Sequence, residues 1–136
     1  MRQVWQRSEA DCSVACVAMI SGCTYDKALA AVNKAFLPRK PRSLLTERKH
    51  LAEALRLLGV KAPGNLVPLR GRRLEDLDHD AIVKVSKGPK DSFWHWVVWD
   101  VREGKRDPDR SVVLRNGAQD RFSELLGSPD LAATCN

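Results

Sequence analysis

Three residue types at particular spacings give this chain its chemical interest: Gln6, then Cys12 six residues later, then His95 far downstream. A cysteine is a nucleophile only as the thiolate, and a helix N-terminus favours that anion through its unpaired N–H groups and partial positive charge. A histidine can take the thiol proton and later return it to a leaving amine. A side-chain amide just upstream of the cysteine, working with the cysteine's own backbone N–H, can stabilise an oxyanion. Together these are the parts of a cysteine hydrolase that works through a thioester.

The other candidates are weaker. Cys16 falls on much the same helix face as Cys12 but one turn inside, where the dipole helps less and a small core residue is expected. Cys23 follows the helix and Cys135 lies in the tail, so neither has a comparable reason to be reactive. His50 and His79 read as solvated surface residues. His95, by contrast, opens the apolar run Trp94-His95-Trp96-Val97-Val98, where an ionisable group must be partnered to be tolerated.

The imidazole needs an acceptor to hold its orientation. Asp100 is near in sequence, but alternation places it on the opposite face of the strand from His95, Val97 and Trp99. A hairpin turning about Lys105 and Arg106 sets Asn116 across from His95 on the same face. A slip of register would bring Arg115 or Gly117 there instead, and Asp120 is the fallback.

These residues require elements to carry them. Ser8 and Asp11 are N-cap candidates, and Val14, Val17, Ala18 and Ile20 give helical periodicity from about Cys12 to Ser21, stopped by Gly22. Thr24 caps a second helix over about 26–36, and Leu51, Leu55 and Leu58 stripe a third over about 46–58 that closes at Gly59. A Pro/Gly-rich connector and a short helical turn at 74–77 lead to a strand at 81–85. Two further strands, 94–101 and 111–114, form a hairpin with the turn-rich segment 102–110 as a long loop. A last short helix is expected at 121–126, with 130–136 as a loose tail. Helices first and strands second predict an α+β domain in which the N-terminal helices pack on a C-terminal antiparallel sheet.

At 136 residues and 43% hydrophobic composition the chain has material for one core, so residues 1–136 read as a single domain. No apolar run approaches the roughly 18 residues of a membrane span, and Met1 to Gln6 lacks a signal-peptide core, which predicts a cytoplasmic protein. In that setting the four cysteines read as reduced thiols. The net charge of +6, with basic clusters at 38–42 and 70–73, could attract nucleic acid. The aromatics, however, cluster around His95 and no nucleic-acid signature is present, which argues for a solvated basic face.

Gln6, Asp11-Cys12, Ala15-Cys16 and Ala18-Met19-Ile20, followed by His95-Trp96-Val97-Val98, resemble the bacteriocin-processing peptidases, papain-like cysteine peptidases that cleave leader peptides after a double glycine. The likeness spans roughly Val4 to Leu126. It implies a papain-like fold, no cofactor or metal, and a peptide or protein substrate. It also implies Cys12 as nucleophile, His95 as general base and acid, Gln6 as oxyanion donor, and Asn116 where the family has its aspartate. Two departures stand out: Ser13 replaces the family's glycine after the cysteine, and Asn116-Gly117 replaces its Asp-Pro. A membrane exporter domain often follows in the family; the resemblance here is to the stand-alone form, whose members act on other substrates.

Rival readings are a catalytically silent relative that binds peptide in the same groove, and an acyl transferase using the same Cys-His machinery. A metal site from Cys12, Cys16, Cys23 and His95 would lack a Cys-x-x-Cys knuckle.

Overall fold

The computed structural model describes residues 1–8, 10–36, 48–61, 67–68, 73–87, 93–110 and 121–127. Three helices come first, α1 (Cys12–Ser21), α2 (Tyr25–Ala35) and α3 (Arg48–Leu57). Strands β1 (Val67–Pro68), β2 (Ala81–Lys87), β3 (Phe93–Asp100), β4 (Gly104–Arg106) and β5 (Arg121–Gly127) follow, with a single 3₁₀ turn at Leu74–Asp76. The strands form one sheet in the order β1-β5-β2-β3-β4, every pairing antiparallel. The expected α+β class with helices preceding an antiparallel sheet is therefore present.

α1 is the central helix. Cys12, Ser13, Val14, Ala15, Cys16, Val17, Ala18, Met19 and Ser21 are all buried, so it has no solvent stripe. Its many small side chains let neighbours approach on every side, which is how a helix enclosed all round is accommodated. The buried Ser21 hydroxyl is satisfied by donating to Val17 O at 2.6 Å. Gly22, at φ 72°, ends the helix in the left-handed conformation that a side chain would resist. Thr24 then caps α2 as expected, its Oγ1 accepting from Lys27 N at 3.2 Å.

The sheet separates two apolar clusters. On one side Ile82, Trp96 and Val98 pack with α1, with Ala28, Ala31 and Val32 of α2, and with Leu51, Ala54 and Leu55 of α3. On the other, Val83, Val85 and Val97 pack with Leu74, Leu77 and Ala81, and the half-buried Trp99 closes over them. Alternation along the middle of β2 and β3 sorts these residues, Ile82, Trp96 and Val98 toward the helices and Val83, Val85 and Val97 away. Asp100 is buried, but its carboxylate serves the turn, accepting from Arg102 N at 3.0 Å and Arg106 Nε at 2.9 Å. Burial alone would raise its pKa; Arg106 and the Arg102 N–H outweigh that and hold it low.

The C-terminal half departs from expectation in two places. Segment 121–127 is a strand paired with β2 and not a helix; its neighbours in the sheet complete the ladder, and this tertiary pairing overrides a weak local helical pattern. The β3–β4 hairpin is tight, pairing Val98 with Arg106, Trp99 with Lys105 and Asp100 with Gly104. Its loop is only Val101, Arg102 and Glu103, closed by Gly104 at φ 93°, in place of the long 102–110 loop. Segment 111–114 lies outside the described residues, as do the basic cluster 38–42, most of 70–73 and the tail 130–136.

No single helix among the described residues is long and apolar enough to cross a membrane; α1 and α2 are bent by 115° relative to one another.

Candidate active site

Cys12 is the first residue of α1, where the N–H groups of the opening turn have no intrahelical acceptor. It is a free thiol, 6% exposed. His95 lies near the start of β3, with Cys12 on one side close enough to raise its pKa. On the other, its Nε2 stands 2.8 Å from Asp107 Oδ1. A carboxylate only accepts, so the hydrogen of that contact sits on His95 Nε2, and Nδ1 is the nitrogen left for the thiol. Burial alone would push the imidazole pKa down. The hydrogen bonds to Asp107 and Cys12, with the negative charges those groups carry, outweigh it and lift the pKa from 6.5 to about 9.

Asp107 was not among the residues expected from the sequence. It arrives here because of the tight hairpin. Extending the β3–β4 register one residue past Arg106 sets Asp107 opposite Val97, which makes it the diagonal neighbour of His95 on the same face. The register that pointed to Asn116 is corrected accordingly: the hairpin turns at Arg102, not between Lys105 and Arg106. Asn116 and the fallback Asp120 lie outside the described residues. The missed signal was already in the sequence, since Asp107-Pro108 is itself an Asp-Pro pair just after a strand, and Gly104 marks the turn that puts it there.

The Asp107 loop is fastened to the N-terminal segment. Gln3 Nε2 donates to Asp107 O at 3.0 Å, and Gln6 N donates to Pro108 O at 2.9 Å. Asp107 Oδ1 also accepts from Asp109 N at 2.8 Å, and the carboxylate is 4% exposed. Thus the residue behind the imidazole and the residue upstream of the thiol are held by one set of backbone contacts.

Gln6 is half-buried. Its Nε2 donates to Ser8 O at 2.8 Å, and its Oε1 is buried with no hydrogen-bond partner among the described residues. The amide nitrogen carries two hydrogens, so one N–H holds the loop leading to Cys12 and the other is left over.

Asp11 occupies the N-cap position of α1 but makes no capping bond, contrary to the simple reading of the sequence. Its carboxylate folds back to organise the loop between Gln6 and Cys12. Oδ2 accepts from Arg7 N at 2.8 Å and from the Tyr25 hydroxyl, while Oδ1 accepts from Ser8 N at 2.9 Å and Ser8 Oγ at 3.1 Å. Burial would raise its pKa, but these donors hold it below the ordinary carboxylate value; burial and Asp11 together raise that of Tyr25. Tyr25→Phe should therefore lower stability by about 1–3 kcal/mol, because a buried carboxylate loses a donor. Thermal or urea denaturation at neutral pH measures it, and an unchanged midpoint would show that the contact is dispensable.

Among the described residues the remaining thiols and imidazoles have other surroundings, and Cys135 lies outside them. Cys16 is fully buried beside Cys12 and Asp107; burial first, and then those two negative groups, push its thiol pKa well up, as befits a core residue. Cys23 is disulfide-bonded, which corrects the expectation of reduced thiols throughout. That expectation rested on the reducing setting read from the sequence, and not on which thiols the fold brings together. His50 is not simply solvated, its ring packing on Phe36 with centroids 4.4 Å apart, and His79 Nδ1 contacts Asp78 Oδ1 at 2.8 Å. Among the described residues no group of three or more His, Cys, Asp and Glu is arranged to hold a metal ion.

Comparison of the chain with protein-family models, curated proteins and solved structures found no match. The functional argument therefore rests on the geometry and on the sequence resemblance.

Proposed function

We propose that this protein is a papain-like cysteine peptidase akin to the bacteriocin-processing peptidases, hydrolysing a peptide bond through a thioester on Cys12. The observation that carries this reading is the Cys12, His95, Asp107 line: a thiol at a helix start, an imidazole beside it, and a carboxylate 2.8 Å behind the imidazole. With Asp107-Pro108 directly after β4, the motif reads Cys, His-aromatic-Val-Val, Asp-Pro, which is closer to that family's pattern than the sequence reading with Asn116.

The chemistry follows from the protonation states. An imidazole with a pKa near 9 is mostly protonated at pH 7, so His95 stands as a cation beside the Cys12 sulfur at the positive end of α1, and the pair reacts as thiolate and imidazolium. The sulfur attacks the scissile carbonyl carbon and the carbonyl electron pair moves onto oxygen. The Cys12 backbone N–H and the second N–H of Gln6 Nε2 donate to that oxyanion. As the C–N bond breaks, His95 Nδ1 gives its proton to the departing amine. The neutral imidazole then takes a proton from water, whose oxygen attacks the thioester carbonyl. The acid leaves, and the thiolate and imidazolium are restored. Asp107 remains a carboxylate throughout, holding the ring and stabilising its cation.

Iodoacetamide labelling with peptide mapping tests the activated thiolate. Cys12 is expected to label rapidly near neutral pH, His95→Ala to slow it by roughly tenfold or more, and Cys16 to remain protected. Slow labelling of Cys12 at the rate of an ordinary thiol, unaffected by His95→Ala, would sink the reading.

A further inference from the structure

A cavity of about 790 Å³ lies between the N-terminal segment and the end of α1, and of the candidate site residues Gln6 lines it. Arg2, Trp5, Gln6, Arg7, Tyr25 and Arg110 are among the residues that line it. Two of its guanidinium groups lie over aromatic rings: Arg110 is 4.9 Å from the Trp5 ring centre and Arg7 is 3.8 Å from that of Tyr25. A guanidinium stacked on a ring is fixed in place while its N–H edge remains able to meet a carboxylate in bidentate fashion. Arg7 leans toward Asp26 at the rim, at 3.4 Å, but Arg2 and Arg110 have no carboxylate partner among the described residues. The cavity thus carries an excess of positive charge on a chain whose net charge is already +6.

Gln6 lines this cavity as well. Gln6 also joins the cavity to the reacting groups, since its own N–H is bonded to Pro108 O, next to Asp107.

The geometry points to this cavity as the binding cleft for an acidic peptide segment, one whose Asp or Glu side chains meet Arg2 and Arg110. The inference names the substrate class for the proposed peptidase and so rests on that reading, but the binding it claims can be measured without catalysis.

Fluorescence anisotropy with full-length Cys12→Ala protein supplies the test. The probes are a labelled eight-residue peptide rich in Glu and Asp, its Gln/Asn isostere, and a labelled single-stranded oligonucleotide of equal charge. The acidic peptide should bind at least tenfold more tightly than the isostere, and more tightly than the oligonucleotide. Arg110→Gln and Arg2→Gln, both surface changes, should each weaken it severalfold, and raised salt should do the same. Equal affinity for the isostere, an oligonucleotide that binds as well, or indifference to both arginine variants would overturn the cleft. Cleavage by the native protein distinguishes the two readings: an acidic peptide that binds but is never cut leaves the cleft and removes the peptidase, whereas peptides cut without regard to acidic residues do the reverse.

Discussion

Cys12→Ala is expected to abolish peptide hydrolysis, with a fall in kcat of about 10,000-fold or more, because no other group can form the thioester. The substitution leaves the helix start and its N–H groups in place, so substrate affinity should change little, and the loss should fall on kcat and not on KM. Cys16→Ala is the informative contrast. Cys16 is one turn further along the same helix but fully buried and with its thiol pKa pushed up, so its replacement should cost some stability and leave kcat within a few fold. A peptide-library cleavage assay read by mass spectrometry measures both. Cleavage that persists in Cys12→Ala, or vanishes only in Cys16→Ala, would assign the nucleophile elsewhere.

Asp107→Asn carries the second large effect. Without the carboxylate, the imidazole loses the larger of the two partners that offset its burial, and its pKa should fall from about 9. The thiolate–imidazolium pair then forms less readily at neutral pH, and the ring can settle in the wrong tautomer, for a loss in kcat of about 10- to 1,000-fold. The pH profile identifies the cause. In the native protein the alkaline limb of kcat/KM, where imidazolium is lost, should lie near pH 9, and in Asp107→Asn it should move toward neutrality.

Stability follows the same proton. A group whose pKa is raised by folding stabilises the fold fully below its unfolded value and ceases to do so as pH rises through its folded value. His95 should therefore contribute below about pH 6.5 and lose that contribution as pH passes 9, so the native melting temperature should decline across this window. In Asp107→Asn the decline should flatten. An unshifted alkaline limb in Asp107→Asn, together with a large loss of activity in Asn116→Ala, would restore Asn116 as the orienting residue.

The site explains why Gln3, Gln6, Arg7 and Asp11 matter although none is a nucleophile. Gln3 and Gln6 tie the chain to the Asp107-Pro108 loop, and Asp11 gathers Arg7, Ser8 and Tyr25 around the turn that delivers Cys12 to its helix start. Geometry of this kind is set by a network and fails as one, because the donors of a buried carboxylate polarise and orient one another.

Local sequence determined the features that depend on neighbours within a few residues. The Gly22 and Gly59 stops, the Thr24 cap, the helices they bound and the β2 and β3 strands follow from conformational preference and periodicity, and these already placed Cys12 at a helix start and His95 on an apolar strand. The tertiary structure decided everything that depends on register and on pairing across the sheet. The strand at 121–127 exists because β2 and β1 pair with it, and its own residues gave no such signal. The role of Asp11 came from Tyr25, a helix away, and could not be read from its place before α1. Asp107 reached His95 only because a three-residue loop, closed by Gly104, fixed the hairpin; a register set a few residues longer would have sent it elsewhere. Cys12 and His95 were thus legible as residues, while the partner that makes the imidazole a base was legible only as a position.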